Sequence, residues 1–210
     1  MPPTRLDQAG EERFWLGVRA AERFFLGEAE VQKAMAKLVD LLDRDGIPYA
    51  VIGAMALNEF GYRRVTVDVD VLLTPEGLAA FKARYLGRGY VEKFPGSRGM
   101  RDAEHGIDID VVLTGSYPGD GQPKPVVFPD PAHAAERGAR VALLPLPTLL
   151  ELKLASGLTA PDRLKDLADV QEVIRIGQLP RTLAADLDPF VRDKYLELWD
   201  AVQHRRDEDR

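Results

Sequence analysis

The sequence predicts an α/β (α+β) fold in which a mixed β-sheet is flanked by helices, with helical extensions at the N- and C-terminal ends. Three observations carry that reading. Residues 50–73, AVIGAMALNEFGYRRVTVDVDVLL, run from an apolar stretch through a glycine, a short helix-forming segment and a second glycine into another extended stretch. This is strand, helix, strand punctuation. The pattern VDVDVLLT at 67–74 returns as IDIDVVLT at 107–114, and both alternate with the period of two that marks a strand. The regions on either side instead carry apolar residues at helical spacing.

Residues 9–45 read as helical, with Phe14, Trp15, Val18, Ala21, Phe24, Phe25 and Ala29 on one apolar face. Val31, Met35, Leu38, Leu41 and Leu42 continue it in a second helix that Asp45-Gly46 ends. The four aromatics read as ordinary packing on the domain, with a partner surface as the alternative. The first strand is Tyr49–Ile52, a helix follows over Ala54–Phe60, and the second strand begins near Val65. Thr74-Pro75-Glu76 opens a helix to about Leu86, with Leu78, Phe81 and Tyr85 inward. Tyr90–Phe94 is short and extended, and Met100–Glu104 forms a hairpin with Ile107–Leu113 around His105-Gly106, leaving His105 solvated at the turn.

Residues 115–131 form a Pro- and Gly-rich loop, either a surface detour or a contributor to substrate contacts. Arg140–Leu144 reads as a strand, and Thr148-x-x-Glu151 has the form of a capping box for a helix carrying Leu149, Leu150, Leu152 and Leu154. Pro161 starts another helix with Leu164, Leu167 and Ala168 toward the core. Leu179-Pro180 breaks the chain, Pro189–Gln203 makes a last helix, and HRRDEDR is a frayed charged tail. The segmentation is an N-terminal helical part over 1–46, a core over 47–144 and a C-terminal helical part over 145–210 packed on the core.

The 210 residues suffice for a substantial core, with 45% hydrophobic and 30% charged residues. There is no cysteine, so disulfide and thiolate chemistry are absent. No apolar run reaches membrane-spanning length and the first residues lack a signal-peptide core; the expectation is a cytoplasmic protein with no membrane partner. The net charge of −6 gives no bulk attraction to nucleic acid, so any RNA contact would need a local basic patch.

The chemistry lies in the acids of the two repeated strands. Asp68 and Asp70 share one face, as do Asp108 and Asp110. A strand with one wet face would also alternate in this way. If the two strands pair, however, neighbours about 4.8 Å apart crowd up to four carboxylates into one patch. Such a patch raises its own pKa values unless a cation sits within it. Hard oxygen ligands at that density suit Mg2+.

The segment GAMALNEFGYRRVTVDVD with the later KLASGLTAPDRLKDLADV resembles the nucleotidyltransferases of the DNA polymerase beta superfamily, and within it the abortive-infection type nucleotidyltransferase toxins and their uncharacterised relatives. The resemblance covers about residues 47–175. It implies that Asp68, Asp70 and Asp110 are catalytic and bind metal, with Asp108 as the alternate third acid, and that two Mg2+ ions and an NTP are used. It further implies nucleotide-binding roles for Gly53, Ala54, Arg64 or Arg63, Lys153, Arg163, Lys165, Asp166 and Asp169. The stripe Arg163, Asp166 and Asp169 is equally the pattern of a surface ion-pair ladder. Where the family has Gly-Gly or Gly-Ser, this chain has Gly53-Ala54.

The implied activity is Mg-dependent transfer of an NMP group from an NTP to an RNA, protein or small-molecule hydroxyl, in the role of a toxin with a cognate antitoxin. The alternative is a catalytically silent nucleotide-binding or antitoxin-like partner module of the same fold. A metal-dependent phosphohydrolase would also use clustered aspartates, and would release phosphate in place of pyrophosphate.

Overall fold

The computed structural model describes residues 29–138 and 140–208; the expected aromatic cluster at Phe14, Trp15, Phe24 and Phe25 lies outside them. A seven-stranded sheet in the order β3-β4-β5-β2-β1-β7-β6 is built from β1 (Tyr49–Val51), β2 (Asp68–Leu73), β3 (Tyr90–Glu92), β4 (Met100–Asp102), β5 (Ile107–Leu113), β6 (Glu136–Arg137) and β7 (Ala142–Leu143). The described helices are α1 (29–44), α2 (Gly53–Glu59), α3 (Pro75–Tyr85), the single turn α4 (Pro131–Ala134), α5 (Leu146–Thr159), α6 (Leu164–Gly177) and α7 (Pro189–Glu208). None of the described helices is long and apolar enough to cross a membrane.

The two acid-bearing strands are neighbours. β2 and β5 run parallel with Asp68 opposite Asp108 and Asp70 opposite Asp110, while β1 joins β2 on its other side antiparallel, Val51 opposite Val71. Period-two geometry then sorts the faces. Val69, Val71, Ile109 and Val111 pack with Val31, Leu38 and Leu42 of α1 and Leu78 and Phe81 of α3. On the opposite face, Ala50 and Leu72 pack beneath Leu149, Leu150 and Leu154 of α5, Val170 and Ile174 of α6, and Val191 and Tyr195 of α7. The acids stand on this second face, where the helical layer leaves the ends of β2 and β5 open.

Local sequence explains most boundaries. Thr74 caps α3 by accepting a hydrogen bond from Gly77 N at 3.0 Å, with Pro75 in the first turn. Gly46 ends α1 at φ +63°, as Asp45-Gly46 predicts. The hairpin about His105-Gly106 forms, with Met100 opposite Ile109 and Asp102 opposite Ile107.

Several expectations are corrected. β2 begins at Asp68 and not near Val65, and Val67 is 64% exposed because the chain bends there before it enters the sheet. Thr148 does not cap α5, which begins at Leu146 after Pro145; Glu151 accepts instead from Asp188 N at 2.6 Å. A 3-10 turn, Pro161–Arg163, precedes α6 and shifts its helical phase, so Leu164 is 67% exposed and Ala168 is also exposed, while Leu167 packs against the core. His105 is not solvated: its Nδ1 lies 2.8 Å from Glu30 Oε2 of α1. The backbone of the charged tail stays helical through Glu208.

Candidate active site

A cleft of about 1180 Å³ opens over the acid-bearing face. Its floor is Asp68, Asp70 and Asp110 together with Gly53 and Ala54 at the start of α2. Gly53 has φ +68°, and a Cβ built on it would lie 2.7 Å from Asp70 Cγ. Only glycine allows both the turn and the close seat of that carboxylate. The backbone is locked alongside, with Ile52 N donating to Asp70 O at 3.0 Å.

Burial pushes the Asp70 carboxyl up to about 7, helped by the Asp68 and Asp110 carboxylates and opposed by Lys153 and Arg64. Its neighbours are already held. Asp68 Oδ1 accepts from Thr66 Oγ1 at 2.5 Å, and Asp110 Oδ1 accepts from Lys93 Nζ at 2.5 Å. Asp108 sits one pleat further along β5 and meets Lys93 at 3.2 Å and Arg101 at 3.3 Å.

One wall of the cleft comes from α5 and α6. Lys153 Nζ bonds Asp166 Oδ1 and Asp169 Oδ2, both at 2.8 Å. Arg64 reaches the same Asp169 oxygen at 2.7 Å, and Ser156 Oγ donates to Asp166 Oδ2 at 2.7 Å. Asp166 pays a desolvation penalty, yet the charge and hydrogen bond of Lys153 and the hydroxyl of Ser156 outweigh it and hold its pKa below the ordinary value. Arg64 is fixed at its backbone, where its N–H donates to Asn58 Oδ1 at 2.8 Å. Arg163 and Lys165 are exposed on this wall.

The second wall is the β3–β4 hairpin, which contributes Lys93, Phe94, Ser97, Arg98 and Gly99. Lys82 of α3 braces it, bonding Glu92 at 2.7 Å and the Ser97 carbonyl. The Pro- and Gly-rich loop closes the rim with residues 116–121. Lys124 ties that loop to itself through the Pro118 carbonyl at 2.6 Å and through Asp120. Gly119 is pressed onto α5, where a Cβ would stand 2.8 Å from Ser156 O. The loop is therefore a fixed wall of the cleft and not a detour.

The fold brings Asp68, Asp70, Asp110, Gly53, Ala54, Arg64, Lys153, Arg163, Lys165 and Asp166 to the cleft. Arg63 is not brought there; it is exposed outside the lining, so of the two arginines only Arg64 faces the site. Asp169 lies behind the wall, 1% exposed, beneath Lys153 and Arg64. Thr66, Lys93 and Ser156 escaped the sequence reading. No periodic pattern marks a single polar residue in a turn, and Ser156 is a small buried hydroxyl within the apolar stretch of α5 that follows Lys153.

Among the described residues no three acidic or imidazole side chains stand as a ready-made metal group; Asp110 is bonded to Lys93 and Asp68 to Thr66. The chemistry of the donors still fits a hard divalent cation. The three carboxylates at the floor supply oxygen ligands only, and Asp70 carries a charge that its surroundings disfavour.

No protein-family model and no curated protein matches the chain. Among solved structures it is similar to the crystal structure of ANT(2'')-Ia in complex with adenylyl-2''-tobramycin, at a TM-score of 0.48 and 14% identity over 83% of this chain and 97% of that one. It is also similar to the solution structure of the antibiotic-resistance factor ANT(2'')-Ia, at a TM-score of 0.48 and 14% identity over 86% of this chain and 94% of that one.

Proposed function

We propose that this chain is a magnesium-dependent nucleotidyltransferase that moves an NMP group from an NTP to an acceptor hydroxyl. The observation that carries the reading is the parallel register of β2 and β5, which sets Asp70 beside Asp110 on the floor of a cleft walled by Lys153, Arg163 and Lys165. Carboxylates below and cations at the side are the division of labour that phosphoryl transfer requires.

Asp68, Asp70 and Asp110 would hold the magnesium. Magnesium so held neutralises phosphate charge and lowers the pKa of the attacking hydroxyl. Lys153, Arg163 and Lys165 hold the triphosphate by charge, Lys153 reaching it from the network that Asp166 and Asp169 anchor. Gly53 and Ala54 keep the floor flat enough for phosphate to approach the backbone. The acceptor oxygen forms a bond to the α-phosphorus, the bond from that phosphorus to the bridging oxygen breaks, and pyrophosphate leaves while the hydroxyl proton passes toward the carboxylate cluster.

The test is incorporation of α-labelled NTP into total RNA, total protein and small-molecule pools with and without Mg2+. Labelled product together with released pyrophosphate is expected. Release of free phosphate alone would make the protein a phosphohydrolase. Nucleotide binding without turnover would favour the silent module, a reading that Ala54 supports because it offers phosphate no hydroxyl. The toxin role rests on the sequence resemblance alone. Its test is growth arrest on expression that Asp70→Asn relieves.

A further inference from the structure

Among the described residues, Lys93 is the one cation in the cleft bound to a carboxylate of the floor, and its surroundings favour that reach. Its Nζ lies 2.5 Å from Asp110 Oδ1 and 3.2 Å from Asp108 Oδ2, so it bridges two acids one pleat apart on β5. The path of its side chain is prepared. Gly99 lies beneath it, where a Cβ would stand 3.2 Å from Lys93 Cδ and 3.4 Å from Asp110 Oδ1. The hairpin that carries Lys93 is held independently of this contact, by Lys82 on Glu92 and on the Ser97 carbonyl and by Gly96 N on Glu92 Oε2 at 2.9 Å. The lysine can therefore change partner while its backbone stays in place.

We propose that Lys93 is a positioning residue for Asp110: it serves as the internal counter-ion of that carboxylate when the floor holds no divalent cation, and it yields Asp110 and retreats to Asp108 when one enters. The inference rests on the reading of Asp68, Asp70 and Asp110 as the metal-holding set. An ammonium and a divalent cation would both draw on the single negative charge of the Asp110 carboxylate, which cannot serve both fully. Lys93 thus sets how tightly the floor takes a cation and keeps Asp110 oriented until one arrives. Asp108 is the other half of the device. It is a resting place for the displaced charge within the reach of the same side chain, with Arg101 already at 3.3 Å to share it. Asp108, the first acid of the β5 motif and otherwise idle in the transfer reaction, thereby acquires a use.

The experiment is a Mn2+ titration of the full chain followed by electron paramagnetic resonance, with no nucleotide present, on wild type, Lys93→Met, Lys93→Gln, Lys93→Arg and Asp108→Asn, and on the double variant Lys93→Met with Asp108→Asn. Circular dichroism confirms that each is folded. Removal of one competing charge is expected to tighten Mn2+ binding roughly tenfold in Lys93→Met and Lys93→Gln, with Lys93→Arg close to wild type. Asp108→Asn is expected to weaken binding severalfold when Lys93 is present, because the lysine has lost its alternative partner, and to have a smaller effect in the Lys93→Met background. Unchanged or weaker binding in both neutral Lys93 variants, with wild type binding Mn2+ normally, overturns the Lys93 inference and leaves the metal reading standing. If neither wild type nor Lys93→Met takes up Mn2+ at millimolar concentration, the metal reading fails and the inference falls with it.

Discussion

Gly53 and Asp70 share a space that no side chain larger than hydrogen can enter: a Cβ on Gly53 would lie 2.7 Å from Asp70 Cγ and 2.9 Å from Asp70 Cβ. Gly53→Ala therefore forces the carboxylate off its seat and places an L-residue at φ +68°. The expected cost is about 1–3 kcal/mol of stability together with loss of NMP transfer. Removing the carboxylate in Gly53→Ala with Asp70→Ala should recover only part of that stability, because the Asp70 Cβ remains too close. Thermal melts of Gly53→Ala, Asp70→Ala and the double variant check this, and a double variant as stable as Asp70→Ala alone would contradict it.

The Asp70 carboxyl at about 7, against an ordinary 3.8, makes the metal-free protein less stable as pH rises. With the folded-state pKa raised, the protonated acid costs nothing below about pH 4, and the ionised acid weighs against folding progressively up to about pH 7. Asp70→Asn removes that burden. Its melting temperature without metal should exceed that of wild type at pH 8 by on the order of 5 °C, and the gap should close as pH falls toward 4. Added Mg2+ should raise the wild-type melt and leave that of Asp70→Asn unmoved. A variant that melts lower than wild type at every pH would make Asp70 a structural residue.

Asp110 and Asp108 share a strand face, and their surroundings separate them. Both meet Lys93, but Asp110 lines the cleft beside Asp70 in register, whereas Asp108 lies outside the lining and is also engaged by Arg101. Asp110→Ala is expected to lower turnover by a factor on the order of a hundred or more, and Asp108→Ala by under about tenfold. Steady-state rates at saturating NTP decide it, and the reverse ranking would sink the assignment of the third acid.

Asp169 is the buried anchor of the helical wall. Its side chain is 2% exposed and carries both Arg64 and Lys153. Asp169→Ala leaves two cations facing each other without their shared anion, and should cost about 3 kcal/mol. Arg64→Met, which removes one donor and leaves Lys153 in place, should cost less. Urea denaturation with an unchanged m-value checks the ranking.

The sequence made the floor of the site legible because its acids sit in strands, where a period of two reports which side chains share a face. It also made Lys153 and Asp166 visible, through resemblance. The walls were harder to read. Lys93 matters because β3, β4 and β5 pair as consecutive antiparallel strands; the second hairpin was legible, but Lys93 lies just past β3, where no periodicity reports that its side chain returns to Asp110. The inward position expected of Leu164 failed for a local reason: a 3-10 turn of three residues at Pro161–Arg163 advances the chain by a different angle per residue than an α-helix, so the apolar stripe begins later than Pro161 implies. The strand β6 has only Glu136 and Arg137, too short to carry any periodicity.

The parallel pairing of β2 with β5 has a consequence for folding fidelity. Sliding either strand by one residue would turn its acids into the layer lined by Val31, Leu38 and Phe81, and would bring Val69 and Val71, or Ile109 and Val111, out toward water. An unpaired carboxylate in such a layer costs several kcal/mol. Each strand carries two of them, so every odd-numbered slip is strongly rejected. A slip of two residues keeps the faces but moves Asp70 away from Asp110 and opposes it to a different rung. The chain thus proofreads its own strand alignment with the side chains it sets aside for chemistry, and replacing all four aspartates by asparagine would remove catalysis and also relax the alignment of its central strands.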